Sequence, residues 1–223
     1  MFILIVVFVS GFMVMALEIV ALRAVYAGIS SDIYATGAVI GVILTALSLG
    51  YWLGGNLTLY YNPRLIQSIA LIIAGIWIFM IAGIPGSISE FFTRVQPIEP
   101  QAVAILESPW RSVPGWVVSA PLSDSMFLRQ RVDPLIASMI LFFIPSVFLA
   151  MIGPCAVKIL THRAEDAGRI SGWIFALGSL GSIAGVISTS FFLISAIGTS
   201  AIFRLIGLLT AILGIALRAA RDK

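Results

Sequence analysis

Residues 10–55 read SGFMVMALEIVALRAVYAGISSDIYATGAVIGVILTALSLGYWLGG and decide the fold of this chain. Two apolar runs flank a short polar turn, and each approaches the roughly 20 residues that a helix needs to cross a bilayer. The first run carries Glu18 and Arg23, and the second is spaced by glycines. A charge inside a membrane helix costs about 2.5–3.5 kcal/mol on insertion scales, so we expect these two residues to serve a purpose.

The composition outside this stretch is equally apolar. Hydrophobic residues make up 60% of the 223 and charged residues only 10%, against about 25% in soluble domains. The mean hydropathy is +1.11. These values predict an all-α, polytopic membrane protein whose main environment is the lipid bilayer. The basic residues are scattered rather than clustered, so no nucleic-acid partner is predicted.

Residues that could perform chemistry are scarce. A single cysteine, Cys155, and a single histidine, His162, exclude a multi-cysteine or histidine-rich metal site. The sequence contains no recognisable nucleophile–base pair and no phosphate-binding loop. The glycines near Gly178 lack the strand and the acidic residue of a dinucleotide-binding motif. We therefore predict no catalytic residues, cofactor or metal, and expect that the chain alone is not an enzyme.

Hydropathy predicts about six spans, at residues 2–27, 35–55, 66–88, 134–157, 171–196 and 199–218. The first lacks the basic start of a signal peptide and is interpreted as a retained helix. The basic residues that flank the spans fall on one side, as positively charged cytoplasmic loops do; they are Arg64, Lys158, Arg163, Arg169, Arg218, Arg221 and Lys223. The sequence therefore predicts a multi-pass protein of the cell membrane with both termini in the cytoplasm.

The long segment between spans three and four, residues 89–133, is expected on the non-cytoplasmic side. It contains five prolines, which oppose long helices, and Trp110 and Trp116, which favour the headgroup level of the membrane. We expect short helical pieces lying along the outer interface. They would serve either as a connection that follows the surface or as a docking surface for a partner.

Spans one to three and four to six are candidates for a 3+3 inverted repeat, since an odd number of helices per half reverses the orientation of the second half. The middle helix of each half carries the glycines: Gly37, Gly41, Gly50 and Gly54 in span two, and Gly178, Gly181 and Gly185 in span five. Small residues four apart allow helices to approach closely. We expect these two middle helices to cross at the centre of the bundle.

Glu18, Arg23 and Arg204 form the candidate intramembrane polar site. Glu18 lies roughly 22 Å along the first helix, at about 1.5 Å per residue, and Arg23 lies near its outer boundary. The two are five residues apart and point in different directions, so they do not pair along one face. Arg204 of span six is the candidate partner. Glu18 is either half of a structural ion pair or part of a site for a substrate or a proton.

Pro145 and Pro154 form a candidate helix break in span four. Proline cannot donate to the carbonyl four residues earlier, so the helix is expected to kink. Two interpretations remain open: the kink serves packing, or the freed carbonyls coordinate a cation or an amine.

Several of these features, in this order, are similar to one known family. Ser10 and Gly11, then Glu18, Arg23 and the glycine-spaced second helix resemble the membrane domain of spermidine/spermine synthase-like integral membrane proteins. The paired prolines of span four and the stretch from Gly168 to Gly198 extend the resemblance over about five spans. One departure is a glycine, at about Gly178, where the family frequently has asparagine.

The resemblance implies a membrane domain that is usually fused to, or encoded beside, a cytoplasmic Rossmann-like domain similar to aminopropyltransferases. No such catalytic domain follows the sixth span in this sequence. Our first hypothesis is therefore a non-catalytic membrane partner that anchors or assists a cytoplasmic synthase-like protein or joins other membrane subunits. The alternative is a small transporter of polyamines or other organic cations that works as a homodimer and uses Glu18.

Overall fold

The computed structural model describes the backbone of residues 2–28, 33–83 and 121–219, and the side chains of residues 2–26, 33–82 and 134–219. This part of the chain is helical apart from short connections such as residues 58–62 and 161–163, and it contains no strand. Its α-helices are α1 (Phe2–Gly28), α2 (Ile33–Leu57), α3 (Pro63–Gly83), α4 (Pro121–Ala150), α5 (Ile152–Leu160), α6 (Ala167–Ser188) and α7 (Ile194–Ala219). A 3₁₀ turn (Ala164–Asp166) precedes α6, and a π-helical segment (Thr189–Leu193) joins α6 to α7.

Within the described residues, five segments are long and apolar enough to cross a membrane, which confirms a helical, polytopic membrane protein. The last segment, Ala164–Ala219, has 56 residues. A straight helix of that length would measure about 84 Å, far more than the roughly 30 Å of a bilayer core. The segment is bent instead at Gly198, whose φ of 73° lies in the left-handed region that glycine adopts freely.

The helices pack chiefly in three pairs: α1 with α6, α2 with α4, and α3 with α7. In the first pair, Ser182 donates a hydrogen bond to the Gly11 carbonyl, 171 residues away. Gly178 approaches Val7 at the same offset, so α1 and α6 run parallel.

The other two pairs differ in direction. In α2 and α4, Gly50 meets Val147 and Gly54 meets Met151, so residue numbers rise together and these helices are parallel. In α3 and α7, Gly75 meets Ala211, whereas Gly214, further along α7, meets Ile72. Residue numbers therefore change in opposite senses, and α3 and α7 are antiparallel.

These directions place both ends of the described chain at the same end of the bundle. The short turn between α2 and α3 fixes Arg64 at that end. Helix α5 continues α4, which is parallel to α2, so Lys158 lies at the same end of the bundle as Arg64. Helix α7 is antiparallel to α3, so Arg218 lies at this end as well. The described members of the expected group of basic residues therefore lie at one end of the bundle, and Arg221 and Lys223 lie outside the described part of the chain.

The expectation that the two glycine-rich middle helices cross each other is wrong. Within the described residues, neither α2 nor α6 has the other as a main packing partner. Their glycines do mediate close crossings, but with the first helix of the opposite half: Gly50 of α2 lies on Val147 and Ala150 of α4, and Gly181 of α6 lies on Phe8 of α1.

Helix α4 begins at Pro121, earlier than the sequence predicts. Residues 121–133, expected among short interfacial pieces, instead continue into the predicted fourth span. Pro134 lies within the same helix. The remainder of the predicted outer loop, residues 89–120, lies outside the described part of the chain.

Pro145 lies inside the continuous helix α4, and the helix is interrupted at Met151, between α4 and α5. The carbonyl that Pro145 leaves without a helical donor receives one from another helix. Pro145 has no N–H, so the carbonyl of Leu141, four residues earlier, loses its helical donor. The Trp77 indole Nε1–H of α3 donates to that carbonyl at 3.1 Å. The Leu141 carbonyl, a predicted ligand for a cation or an amine, therefore accepts a hydrogen bond from Trp77 instead. This hydrogen bond links α3 to α4.

Trp77→Phe is expected to lower the free energy of unfolding by about 1–3 kcal/mol, because it leaves the Leu141 carbonyl without this donor. Trp52→Phe, at a position 64% exposed, is the matched control and should change little. Pro145→Ala restores a backbone N–H near the Leu141 carbonyl. The double variant with Trp77→Phe and Pro145→Ala should therefore lose less free energy of unfolding than the sum of the losses in the two single variants. Unfolding in detergent–SDS mixtures measures all four proteins, and strictly additive losses would contradict this role.

Candidate functional site

A groove of about 160 Å³ lies where α1, α2, α4–α5 and α6 meet. We call it the central groove. Its walls are mostly small or hydroxyl-bearing residues, which leave room between helices that pack closely elsewhere. They include Ser10, Gly11, Tyr51, Gly153, Gly178 and Ser182.

The hydroxyls of the groove are held by helix backbone. Ser10, on α1, donates to the Val7 carbonyl at 2.8 Å, and Ser182 donates to the Gly11 carbonyl at 3.3 Å. Each hydroxyl oxygen therefore retains acceptor capacity. Pro154 adds another acceptor, since it cannot donate to the carbonyl of Ala150, a residue of the groove lining. The groove is thus an apolar space with a few oxygen acceptors and no charge of its own.

Glu18 lies beyond one end of this groove, on the same face of α1. Gly11, Val14 and Met15 line the groove, and Glu18 follows them at helical spacings of seven, four and three residues. It is about 10 Å from Gly11 along the helix axis, at about 1.5 Å per residue. Its side chain is half-buried, and no hydrogen bond or ion pair joins it to another described residue.

The predicted ion pair between Glu18 and Arg204 is absent. The only salt bridge among the described side chains joins Arg169 to Asp166 at 3.0 Å. Arg204 is exposed on the outside of α7, and Arg23 is exposed beyond Glu18 on α1. Within the described residues, the structure therefore does not bring the three predicted polar residues together.

Sequence reasoning missed Thr189, the first residue of the π-helical segment. Its side chain is fully buried, and its hydroxyl has no hydrogen-bond partner within the described structure. Thr189 lies seven residues after Ser182, on the same face of the helix, and this spacing is the one signal that could have identified it. π-Helical segments in α-helices frequently occur at functional sites.

Comparison of the chain with protein-family models, with curated proteins and with solved structures gave no match.

Proposed function

We propose that this chain is a membrane carrier for a small organic cation, built from two inverted halves of three crossings each. The first half is α1 to α3. The second half is α4–α5, α6 and α7, with α6 and α7 counted as separate crossings because of the bend at Gly198. The single observation that carries the proposal is the position of Glu18, a carboxylate without a described cationic partner, on the groove-lining face of α1.

The pattern of helix pairs supports the inverted repeat. If α1, α2 and α3 correspond to α4–α5, α6 and α7, a twofold rotation converts the α1·α6 pair into the α4·α2 pair and the α3·α7 pair into itself. These are the three main pairs observed. Equivalent pairs are both parallel and the self-related pair is antiparallel, as a rotation axis in the membrane plane requires.

The contacts at the α3·α7 crossing are reciprocal. A Cβ placed on Gly75 would lie 2.7 Å from the Gly207 carbonyl oxygen, and one placed on Gly207 would lie 2.8 Å from the Gly75 carbonyl oxygen. Each glycine also meets the backbone four residues beyond the other, at Ala211 and at Phe79. The proposed axis passes between these two glycines.

The remaining two pairs repeat one packing motif. In each, two glycines four residues apart on the middle helix meet backbone atoms four residues apart on the first helix of the other half. The contacts are Gly50 with Val147 and Gly54 with Met151, and correspondingly Gly181 with Phe8 and Gly185 with Phe12. The central groove lies between these two motifs, at the interface of the halves. Carriers with inverted repeats bind substrate at such an interface and expose it by rocking one half against the other.

A cation is the chemistry that suits the polar groups. A carboxylate in a membrane interior requires a positive partner or a proton, and no arginine or lysine within the described residues supplies one. The hydroxyl and carbonyl oxygens of the groove are acceptors for N–H donors. We therefore propose an organic ammonium compound, such as a polyamine, as cargo.

The orientation is proposed from the charge distribution. Arg64, Lys158, Arg163, Arg169 and Arg218 lie at one end of the bundle, and cytoplasmic ends carry this excess of basic residues. Both chain termini are accordingly assigned to the cytoplasmic side of the cell membrane.

Uptake of radiolabelled putrescine into vesicles containing the purified protein tests the proposal. We expect Glu18→Gln to reduce uptake at least tenfold while the amount of folded protein stays unchanged, since the described structure gives Glu18 no ion pair to lose. Glu165→Gln, at an exposed carboxylate in the turn before α6, is the matched control and should transport normally. No saturable uptake of putrescine or of other organic cations by the unmodified protein would refute the carrier function.

The exposed Arg204 favours a second candidate function, that of a non-catalytic subunit of a membrane complex. Arg204 lies three residues, about 4.5 Å, from the Gly75–Gly207 crossing, and a charge so deep in lipid is expensive. An acidic membrane partner, which includes a second copy of the chain, would neutralise it. Co-purification in mild detergent tests this candidate: a partner, whether membrane-embedded or a cytoplasmic synthase-like protein, should accompany the unmodified protein and be lost from Arg204→Leu.

A further inference from the structure

The Thr189 hydroxyl has no hydrogen-bond partner, a property that it shares with the buried hydroxyls of Ser138, Ser146 and Thr161 within the described residues. Among these four, Thr189 lies on the helix that packs against α1 beside Glu18. Thr45 and Thr210 each donate to the carbonyl four residues earlier, both at 2.7 Å. Thr189 makes no such bond, although it is equally deep in the structure as Thr210 and both are fully buried. A buried hydroxyl without a partner costs about 1–3 kcal/mol, so an unmet hydroxyl here indicates a missing partner.

Helix packing brings Thr189 to the level of Glu18. The offset of 171 residues between α1 and α6, set by the Ser182–Gly11 hydrogen bond, matches Glu18 with Thr189. Glu18 lies on the face of α1 that includes Gly11, and Thr189 lies on the face of α6 that includes Ser182. Gly11 and Ser182 line the central groove. The π-helical segment also contacts α1 directly. A half-buried carboxylate and a buried, unpartnered hydroxyl therefore lie at one height on two adjacent helices.

We propose that Glu18 and Thr189 together form the binding site for a primary ammonium group, an inference that rests on the carrier function proposed above. The Glu18 carboxylate neutralises one positive charge and accepts one N–H hydrogen bond. The Thr189 hydroxyl oxygen accepts a second. The organic part of the ligand extends along the same helix faces into the central groove, where the walls are largely apolar.

The number and type of groups favour an ammonium over a metal ion. Calcium takes six to eight oxygen ligands and magnesium six, whereas Glu18 and Thr189 together supply one carboxylate and one hydroxyl. An ammonium group needs only two or three acceptors and a single negative charge. The hydroxyl gives the site a further property, because it can bond only to a cation that carries N–H donors. A quaternary ammonium of equal charge cannot use it.

Binding of two matched cations to the purified protein tests this site. Butylammonium and butyltrimethylammonium carry the same charge and chain, but only the first has N–H donors. We expect the unmodified protein to bind butylammonium at least tenfold more tightly, as measured by equilibrium dialysis in detergent. Thr189→Val should reduce this preference at least threefold, because only the hydrogen bond to Glu18 remains, whereas Thr189→Ser should retain it. Thr210→Val makes the same substitution at a buried hydroxyl that is already bonded, and the preference should remain.

The outcomes separate this inference from the carrier function. If the unmodified protein binds butylammonium with the tenfold preference and Thr189→Val loses at least threefold of it while Thr210→Val does not, the site is supported. If both cations bind with equal affinity to the unmodified protein, or if Thr189→Val keeps the preference, the role of Thr189 is refuted while cation binding stands. If neither cation binds and putrescine is not taken up, the carrier function falls together with the site.

Discussion

Gly181→Ala is expected to destabilise the protein by about 3 kcal/mol, although the change adds one methyl group. The added Cβ would overlap the Phe8 carbonyl oxygen of α1 and would also lie 3.2 Å from the Phe12 backbone nitrogen. These are backbone atoms in the interior of a helix, so they cannot move aside as a side chain can. The whole of α1 would have to shift away from α6.

The direction of this effect is the reverse of what helix propensity alone predicts. Alanine in a helix is favoured over glycine by roughly 0.5–1 kcal/mol. Gly172→Ala, in the same helix, provides the matched control, since nothing lies within 4 Å of its Cβ position. This variant should be as stable as the unmodified protein or slightly more stable.

Unfolding midpoints in detergent–SDS mixtures, followed by circular dichroism, compare the three proteins. If Gly181→Ala unfolds at the same SDS fraction as Gly172→Ala, then α1 and α6 do not approach as closely as described. The α1·α6 pair, and with it the twofold relation between the halves, would then have to be abandoned.

The sequence predicts the class of fold well because the cost of an unsatisfied backbone in lipid leaves only helices for long apolar runs. It also identifies Gly181 and Gly185 as sites of close packing, since spacing alone puts them on one face. It does not identify the partner helix. Which helix occupies the glycine face depends on the direction and offset of two segments far apart in the chain, and no local pattern encodes that.

The sequence likewise identifies some residues of the candidate site and not others. Glu18 is recognisable from its charge in an apolar run, and within the described residues it forms no ion pair. The position of Arg204 along α7 could not show whether it pairs with Glu18. Its exposure depends on which face of α7 packs against α3, and the sequence does not specify that face. Thr189 is marked in the sequence only by its spacing from Ser182, since a threonine in a membrane helix usually bonds to its own backbone, as Thr45 and Thr210 do.

Gly178→Leu is expected to reduce putrescine uptake at least tenfold without loss of folded protein. Gly178 lines the central groove, and the nearest atom to its Cβ position is Val7 Cγ1 at 3.8 Å, an ordinary contact. An added Cβ is therefore accommodated here, in contrast to Gly181, three residues further along the same helix, and the rest of a leucine side chain would extend into the groove. The four carbons of the leucine side chain would fill much of the central groove of about 160 Å³ and leave less room for a cation.

Gly172→Leu supplies the control of equal size in the same helix, at an exposed position with open space around it, and should transport normally. The comparison also separates the two candidate functions. A carrier requires its groove to be open, so Gly178→Leu should abolish uptake while Gly172→Leu does not. A membrane subunit that acts only through its outer surface does not require an open groove, so Gly178→Leu would keep its partners. Normal uptake by Gly178→Leu would mean that the cation does not pass through the central groove.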